Sequence, residues 1–237
     1  MREGFPQCFH KVDRLGRPVQ YFIVGMSDPE KLARATTLER LLRWNVSRAE
    51  QTIRVKYPRC SAAAGADVST SLCIIDLEGT GLSHFTTDVR NYLKLYFELL
   101  GNNFPGNLGK VYIINCPMVF TGVWSVVRLF LPAADRERIQ LFGGPSLWGE
   151  GSYEAILADE IEPANLPTRY GGTDTTFSPY RDVGPWDSVP TGEGSPSSVL
   201  SPTAKGAAAP EAAPLRGAKV PSPPAVLPPP SLPLEVI

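Results

Sequence analysis

The side chains most able to do chemistry in this chain are few: four cysteines (Cys8, Cys60, Cys73, Cys116) and two histidines (His10, His84). Closely spaced pairs of such groups would hold zinc or run a thiol–disulfide couple. The cysteines are widely spaced and form no CxxC pair, so reduced thiols are the simpler reading. His10 and His84 are predicted on surface turns with no Ser or Cys partner, which does not indicate a catalytic dyad. "DLEGTG" follows a strand as a dinucleotide-binding turn would, yet its glycines lack the GxGxxG spacing and open no convincing helix. Neither a Walker lysine pattern nor a GxSxG elbow occurs, so the chain is read as no enzyme. What remains is polarity without an evident reaction: Ser71 and Cys73 on one strand, and Asp135 with Arg138 in a charged turn.

The elements that must position these residues alternate between periods of 2 and 3.6. "PVQYFIVG", "SLCIIDL", "KVYIINC" and "RIQLFGG" are short β-branched or aromatic runs flanked by Gly, Pro, Asp or Asn, and are predicted as strands. On the second of them Ser71, Cys73 and Ile75 share one face, and Leu72, Ile74 and Asp76 the other. In "TTLERLLRWNVSRAEQTIRVKYP", Leu38, Leu41, Leu42, Ala49 and Ile53 fall largely on one helical stripe, with Thr36 or Thr37 as cap. In "TTDVRNYLKLYFELLG", Val89, Tyr92, Leu93, Tyr96, Phe97 and Leu100 repeat at helical spacing, with Gly101 as the stop. Strands alternating with helical crossovers predict an α/β sandwich: a mostly parallel sheet flanked by helices.

With 23 basic and 24 acidic residues the chain has no electrostatic bias, which argues against a protein built mainly to hold nucleic acid. No apolar run reaches the roughly 20 residues of a membrane span. The N-terminus lacks the pattern of a signal peptide, so the expected compartment is the cytosol. From Asp187 onward the chain holds half of the 24 prolines and no aromatic residue. That composition predicts a disordered Pro/Ala/Ser-rich tail over 187–237, after an ordered domain over 1–186. Within it "PSPP" and "PPPSLP" favour polyproline II and suit a WW-type partner, although a plain linker is the commoner meaning of such segments.

One segment resists this plain reading. After the strand "KVYIIN", Pro117 can start a helix, because its missing N–H costs nothing there. Phe120, Val123, Trp124, Val127, Phe130 and Leu131 then form one apolar stripe, while Val119, Val126 and Leu129 occupy much of the other side. A helix so apolar needs apolar partners on two sides. Burial in the middle of a core would supply them; so would a core on one face and a partner such as lipid on the other.

From "YIINCPMVF" through "VVRLFLPAADRERIQLF" to "EPANLPTRYGGT" and "DVGPW", the order and spacing resemble the CRAL-TRIO domain of the fungal phosphatidylinositol transfer proteins. "FHKVDRLGRPVQYF" and "SLCIIDLEGTGLSHF" resemble that family's first and central strands, so the likeness runs from about Phe5 to Trp186. It implies one α/β domain whose apolar pocket takes up a phospholipid or similar lipophile, with a lid helix over the mouth. Residues 117–131 fall in the lid and hinge region, with Phe120, Val123, Trp124 and Val127 as lid residues. The small N-terminal helical subdomain that usually accompanies the fold has no counterpart before Phe5.

The resemblance also implies residue roles. Ser71 and Cys73 match hydroxyl positions that face a choline headgroup in some relatives; Ser71 keeps the hydroxyl and Cys73 loses it. Phe9 and Gln20 stand where those relatives have tyrosines. Read without the family, Ser71 is more often a satisfied core residue. Of the phosphoinositide set, Gly106 replaces an acidic inositol contact and Asp135 a threonine, while Arg138 replaces a lysine and can still serve a phosphate. Read without the family, Asp135 and Arg138 are a solvated charged turn. The function implied is phospholipid binding and exchange at a transient membrane surface, without a cofactor. The alternative is a non-transferring lipid sensor or scaffold that uses its proline-rich tail.

Overall fold

The computed structural model describes residues 4–104, 106–129, 131, 133–143 and 152–187, the side chain of Leu82 excepted. The proline-rich tail and Phe130 therefore lie outside the described residues.

Among the described residues, five strands form one sheet in the order β1-β2-β3-β4-β5. They are β1 (Gln7–Val12), β2 (Pro18–Ile23), β3 (Ser71–Asp76), β4 (Leu108–Cys116) and β5 (Ile139–Gly143). The four strands after β1 pair in parallel, as the long crossovers require, and β1 pairs antiparallel with β2. Strand β1 is the one that the alternation did not announce. The turn after it is built by Asp13, whose Oδ1 accepts from the N–H groups of Leu15 (2.9 Å) and Arg17 (2.8 Å), and by Gly16 at φ +76°.

The helices are α1 (Pro29–Ala35), α2 (Leu38–Gln51), α3 (Tyr57–Ala64), α4 (Thr87–Asn103), α5 (Phe120–Val127), α6 (Ala133–Arg136) and α7 (Tyr153–Glu160). Asp28, Thr37, Thr86 and Ser152 cap four of them by accepting a backbone N–H of the first turn. A π-helical segment, Thr52–Lys56, joins α2 to α3 without a break. Its wider turn shifts the helical register from Thr52 onward, which takes Ile53 off the predicted stripe. Leu41, Asn45, Thr52 and Lys56 are buried, whereas Leu38 and Ile53 are exposed.

Two other boundaries move. Helix α4 runs through Gly101 to Asn103, since a glycine can continue a helix at a modest cost. Helix α5 starts at Phe120 rather than Pro117; the N–H groups of Phe120 and Thr121 reach back to the carbonyls of Pro117 and Met118 in a preceding turn.

Strand alternation sends apolar side chains to both faces of the sheet. On one face Cys8, Val19, Tyr21, Leu72, Ile74, Tyr112 and Ile114 pack with Leu157 of α7 and with Tyr170 into a closed core. On the other, Cys73, Val111 and Ile113 meet Phe120, Val123 and Val127 of α5. That second face is only partly filled. The stripe of α4 (Tyr92, Leu93, Tyr96, Phe97, Leu100) is half-buried because it faces a cavity. Among the described residues, no helix is long and apolar enough to cross a membrane.

Candidate functional site

The cavity has a volume of about 1360 Å³ and lies between the second face of the sheet and helices α1, α2, α4 and α5. Its walls are mainly apolar. Phe22, Ile75, Val111 and Ile113 come from the sheet, Tyr96 and Phe97 from α4, and Phe120, Val123, Trp124 and Val127 from α5. All four residues expected in a lid thus reach the cavity, as do Phe9, Ser71, Cys73 and Arg138.

The polar side is carried by the start of the sheet and by α2. The Ser71 hydroxyl and the Tyr57 hydroxyl lie 3.1 Å apart, and Tyr57 also donates to the Asn107 carbonyl at 3.1 Å. Ser71 is therefore a satisfied hydroxyl at the cavity wall, which joins the bland reading to the functional one. Cys73 sits one pleat further along the same face and is buried. Burial pushes its thiol up to about 12, so it faces the cavity as a neutral, weakly polar group.

Phe9 pairs with Gln20 across the β1–β2 ladder. Its ring has the Lys56 ammonium 4.9 Å and the Arg48 guanidinium carbon 5.4 Å from its centroid, with Trp186 edge-on. Asp182 ties this group together: it accepts from the Phe9 N–H at 3.0 Å and pairs with Lys56 at 3.1 Å and Arg48 at 3.4 Å. Burial pulls the Lys56 ammonium below its usual range, and Asp182 opposes that shift. Neither Lys56 nor Arg48 was singled out in the sequence, because both sit in a helix-forming run where cations normally face water.

Gly106, Asp135 and Arg138 also line the cavity. Arg138 is exposed and donates to the Leu108 carbonyl, so part of its hydrogen-bonding capacity is already used within the fold. Gly106 stands at φ +82° with open space around a would-be side chain.

His10 is not on a surface turn. It lies within β1, fully buried, and its Nε2 pairs with Asp174. Burial pushes the Asp174 carboxyl up, but hydrogen bonds from His10, Thr176 and Lys11 outweigh it and hold the group well below the usual range. His84 lies in a short helical turn, where its Nδ1 accepts from the Gly81 N–H at 3.2 Å. All four cysteines are buried and unpaired, and no described group of three or more His, Cys, Asp or Glu is arranged to hold a metal ion.

Behind the cavity, buried Asp76 closes the end of β3. Its carboxylate accepts from Tyr170 (2.9 Å), Arg169 (3.0 Å) and Asn115 (2.9 Å), which pins the "RYGG" segment and the end of β4 to the central strand.

A family model described as the CRAL/TRIO domain matches residues 2–172. Similar curated proteins include the phosphatidylinositol/phosphatidylcholine transfer protein SFH11 of Arabidopsis thaliana, 32% identical over 79% of this chain and 49% of that protein. Another of the same description, SFH4 of Arabidopsis thaliana, is 35% identical over 77% of this chain and 29% of its own length. The Sec14 cytosolic factor of Schizosaccharomyces pombe is 32% identical over 77% of this chain and 62% of its own length. The chain thus spans about half of the first relative, less than a third of the second and under two thirds of the third.

Proposed function

The chain belongs to the CRAL/TRIO domain family, and from that premise we propose that it takes one phospholipid, or a lipophile of similar size, into its cavity and exchanges it between membranes. The observation that carries this reading is the cavity itself. At about 1360 Å³ it exceeds the roughly 300–1,000 Å³ of ordinary small-molecule pockets. Its apolar walls suit acyl chains, each buried CH₂ of which gains roughly 0.8 kcal/mol, and so can offset extraction from a bilayer. Phe120, Val123, Trp124 and Val127 of α5 form the inner face of a lid. Met118 and Leu129, 70% and 72% exposed at either end of α5, are the side chains that meet the membrane when the lid opens. Phe9, Ser71 and Cys73 border the headgroup, with Arg138 a further phosphate contact. A cytosolic protein that visits membranes transiently fits these features, and lipid carriage needs no bond-making step.

A second reading, a lipid sensor or scaffold that moves nothing and recruits partners through its proline-rich tail, is favoured by one observation. Arg138 is engaged with the Leu108 carbonyl, and Asp135 sits near it at the cavity wall, which weakens a phosphoinositide site. Transfer of fluorescent phosphatidylcholine or phosphatidylinositol from donor to acceptor vesicles, with no other protein present, separates the two. The transfer reading expects a rate that grows in proportion to protein concentration. Lipid binding without any acceleration would leave the sensor reading standing in its place.

A further inference from the structure

Buried polar atoms without a partner are few in folded proteins, and each asks for a reason. Three lie on residues that line the cavity, Gln7, Thr36 and Arg48, and the first and last of these are near Phe9. Gln7 is 6% exposed; its carboxamide oxygen accepts from Gln20 at 3.4 Å, and its own Nε2 is buried with no hydrogen-bond partner. Arg48 reaches Asp182 through one terminal nitrogen, while its Nε is buried and equally without a partner. Gln7 and Phe9 share a face of β1, and the Arg48 guanidinium lies over the Phe9 ring, so both donors belong to one neighbourhood.

Two cations, Arg48 and Lys56, lie against the Phe9 ring here. Arg48 and Lys56 divide a single carboxylate, Asp182, between them. Asp187 is a second carboxylate near Lys56, and it accepts from the Gly184 N–H at 3.0 Å. The Phe9 ring, the surface on which a quaternary ammonium would rest, already carries two protein cations within 5.4 Å of its centroid. A third cation would be repelled, whereas an anionic oxygen would meet a guanidinium and a carboxamide donor.

We infer that Arg48 and Gln7 bind the anionic head of an amphiphile, a phosphate monoester or a carboxylate, and select against a quaternary-ammonium head at this end of the cavity. This departs from the choline-facing role that family resemblance implies for the position of Phe9. The inference rests on the proposal that the cavity holds a lipid; the headgroup chemistry is what it adds.

The test incubates the full chain with vesicles holding equal amounts of dioleoyl phosphatidic acid, oleic acid and dioleoyl phosphatidylcholine, and reads the retained lipid by native mass spectrometry. The expected result is that one of the two anionic species is retained over phosphatidylcholine by about tenfold or more, the winner distinguishing phosphate from carboxylate. Arg48→Gln should reduce that preference to within about twofold. Wild-type protein that retains phosphatidylcholine as readily as the anionic lipids overturns the inference and leaves the lipid-carrier reading intact. An undiminished preference in Arg48→Gln overturns it too. Retention of none of the three would sink both. Should Arg48→Gln not fold, Gln7→Leu removes the other donor and leaves the Asp182 pairs untouched. Its preference should fall by about threefold or more, and an unchanged preference would count against the inference.

Discussion

His10 and Asp174 illustrate how far single residues can be read. A histidine beside "KVDRLG" resembles a turn residue, yet β1 extends to Val12 and carries His10 onto the closed face of the sheet, against Tyr21 and Phe177. Its partner lies 164 positions away, a separation that no local pattern reports. Because Asp174 is held below the usual carboxylate range, the stability it contributes is complete above its unfolded value of about 3.9 and is lost as the pH falls through its folded value. The urea midpoint of the wild type should therefore decline below about pH 4, and Asp174→Asn should start lower at neutral pH and decline less steeply. Parallel curves for the two proteins would show that Asp174 does not supply this acid sensitivity. Period-2 alternation puts Ser71 and Cys73 on one face, whereas their expected place at a headgroup came from the family resemblance. Arg48 and Gln7 were not, since an unpartnered donor is visible only once its surroundings are.

Among the elements, α5 decides most. The sequence left two homes open for an all-round apolar helix; in the fold Phe120, Val123 and Val127 are buried against Val111 and Ile113, Val119 and Val126 are half-buried, and Met118 and Leu129 at its ends are exposed. Its membrane role can be tested on the outer residues without disturbing the inner ones. Met118→Asp with Leu129→Asp should change folding stability by no more than about 1 kcal/mol, as exposed sites do. Vesicle-to-vesicle transfer should fall by about tenfold, because charge opposes insertion of this surface into a bilayer. Transfer at the wild-type rate by a stably folded double variant would remove α5 as the membrane contact. Boundaries were the weak point of sequence reading here. Gly101 does not stop α4, and the π-helical segment after α2 takes Ile53 off the predicted stripe.

For the whole molecule, strand–helix alternation predicted the parallel part of the sheet and the layer of helices over it. It did not predict that one face would close around Tyr21, Tyr112 and Tyr170 while the other would keep a space of about 1360 Å³. A cavity is the sum of many side-chain volumes, so the apolar pattern of α4 is the same whether it fills a core or lines a hollow. The central claim is that this hollow is a lipid site. Native mass spectrometry of the protein purified from cells, with identification of whatever is released on denaturation, addresses it most directly. The account predicts one lipid bound in stoichiometric amount to the folded monomer. A monodisperse, well-folded protein that carries nothing, and takes up nothing from mixed vesicles, would contradict it.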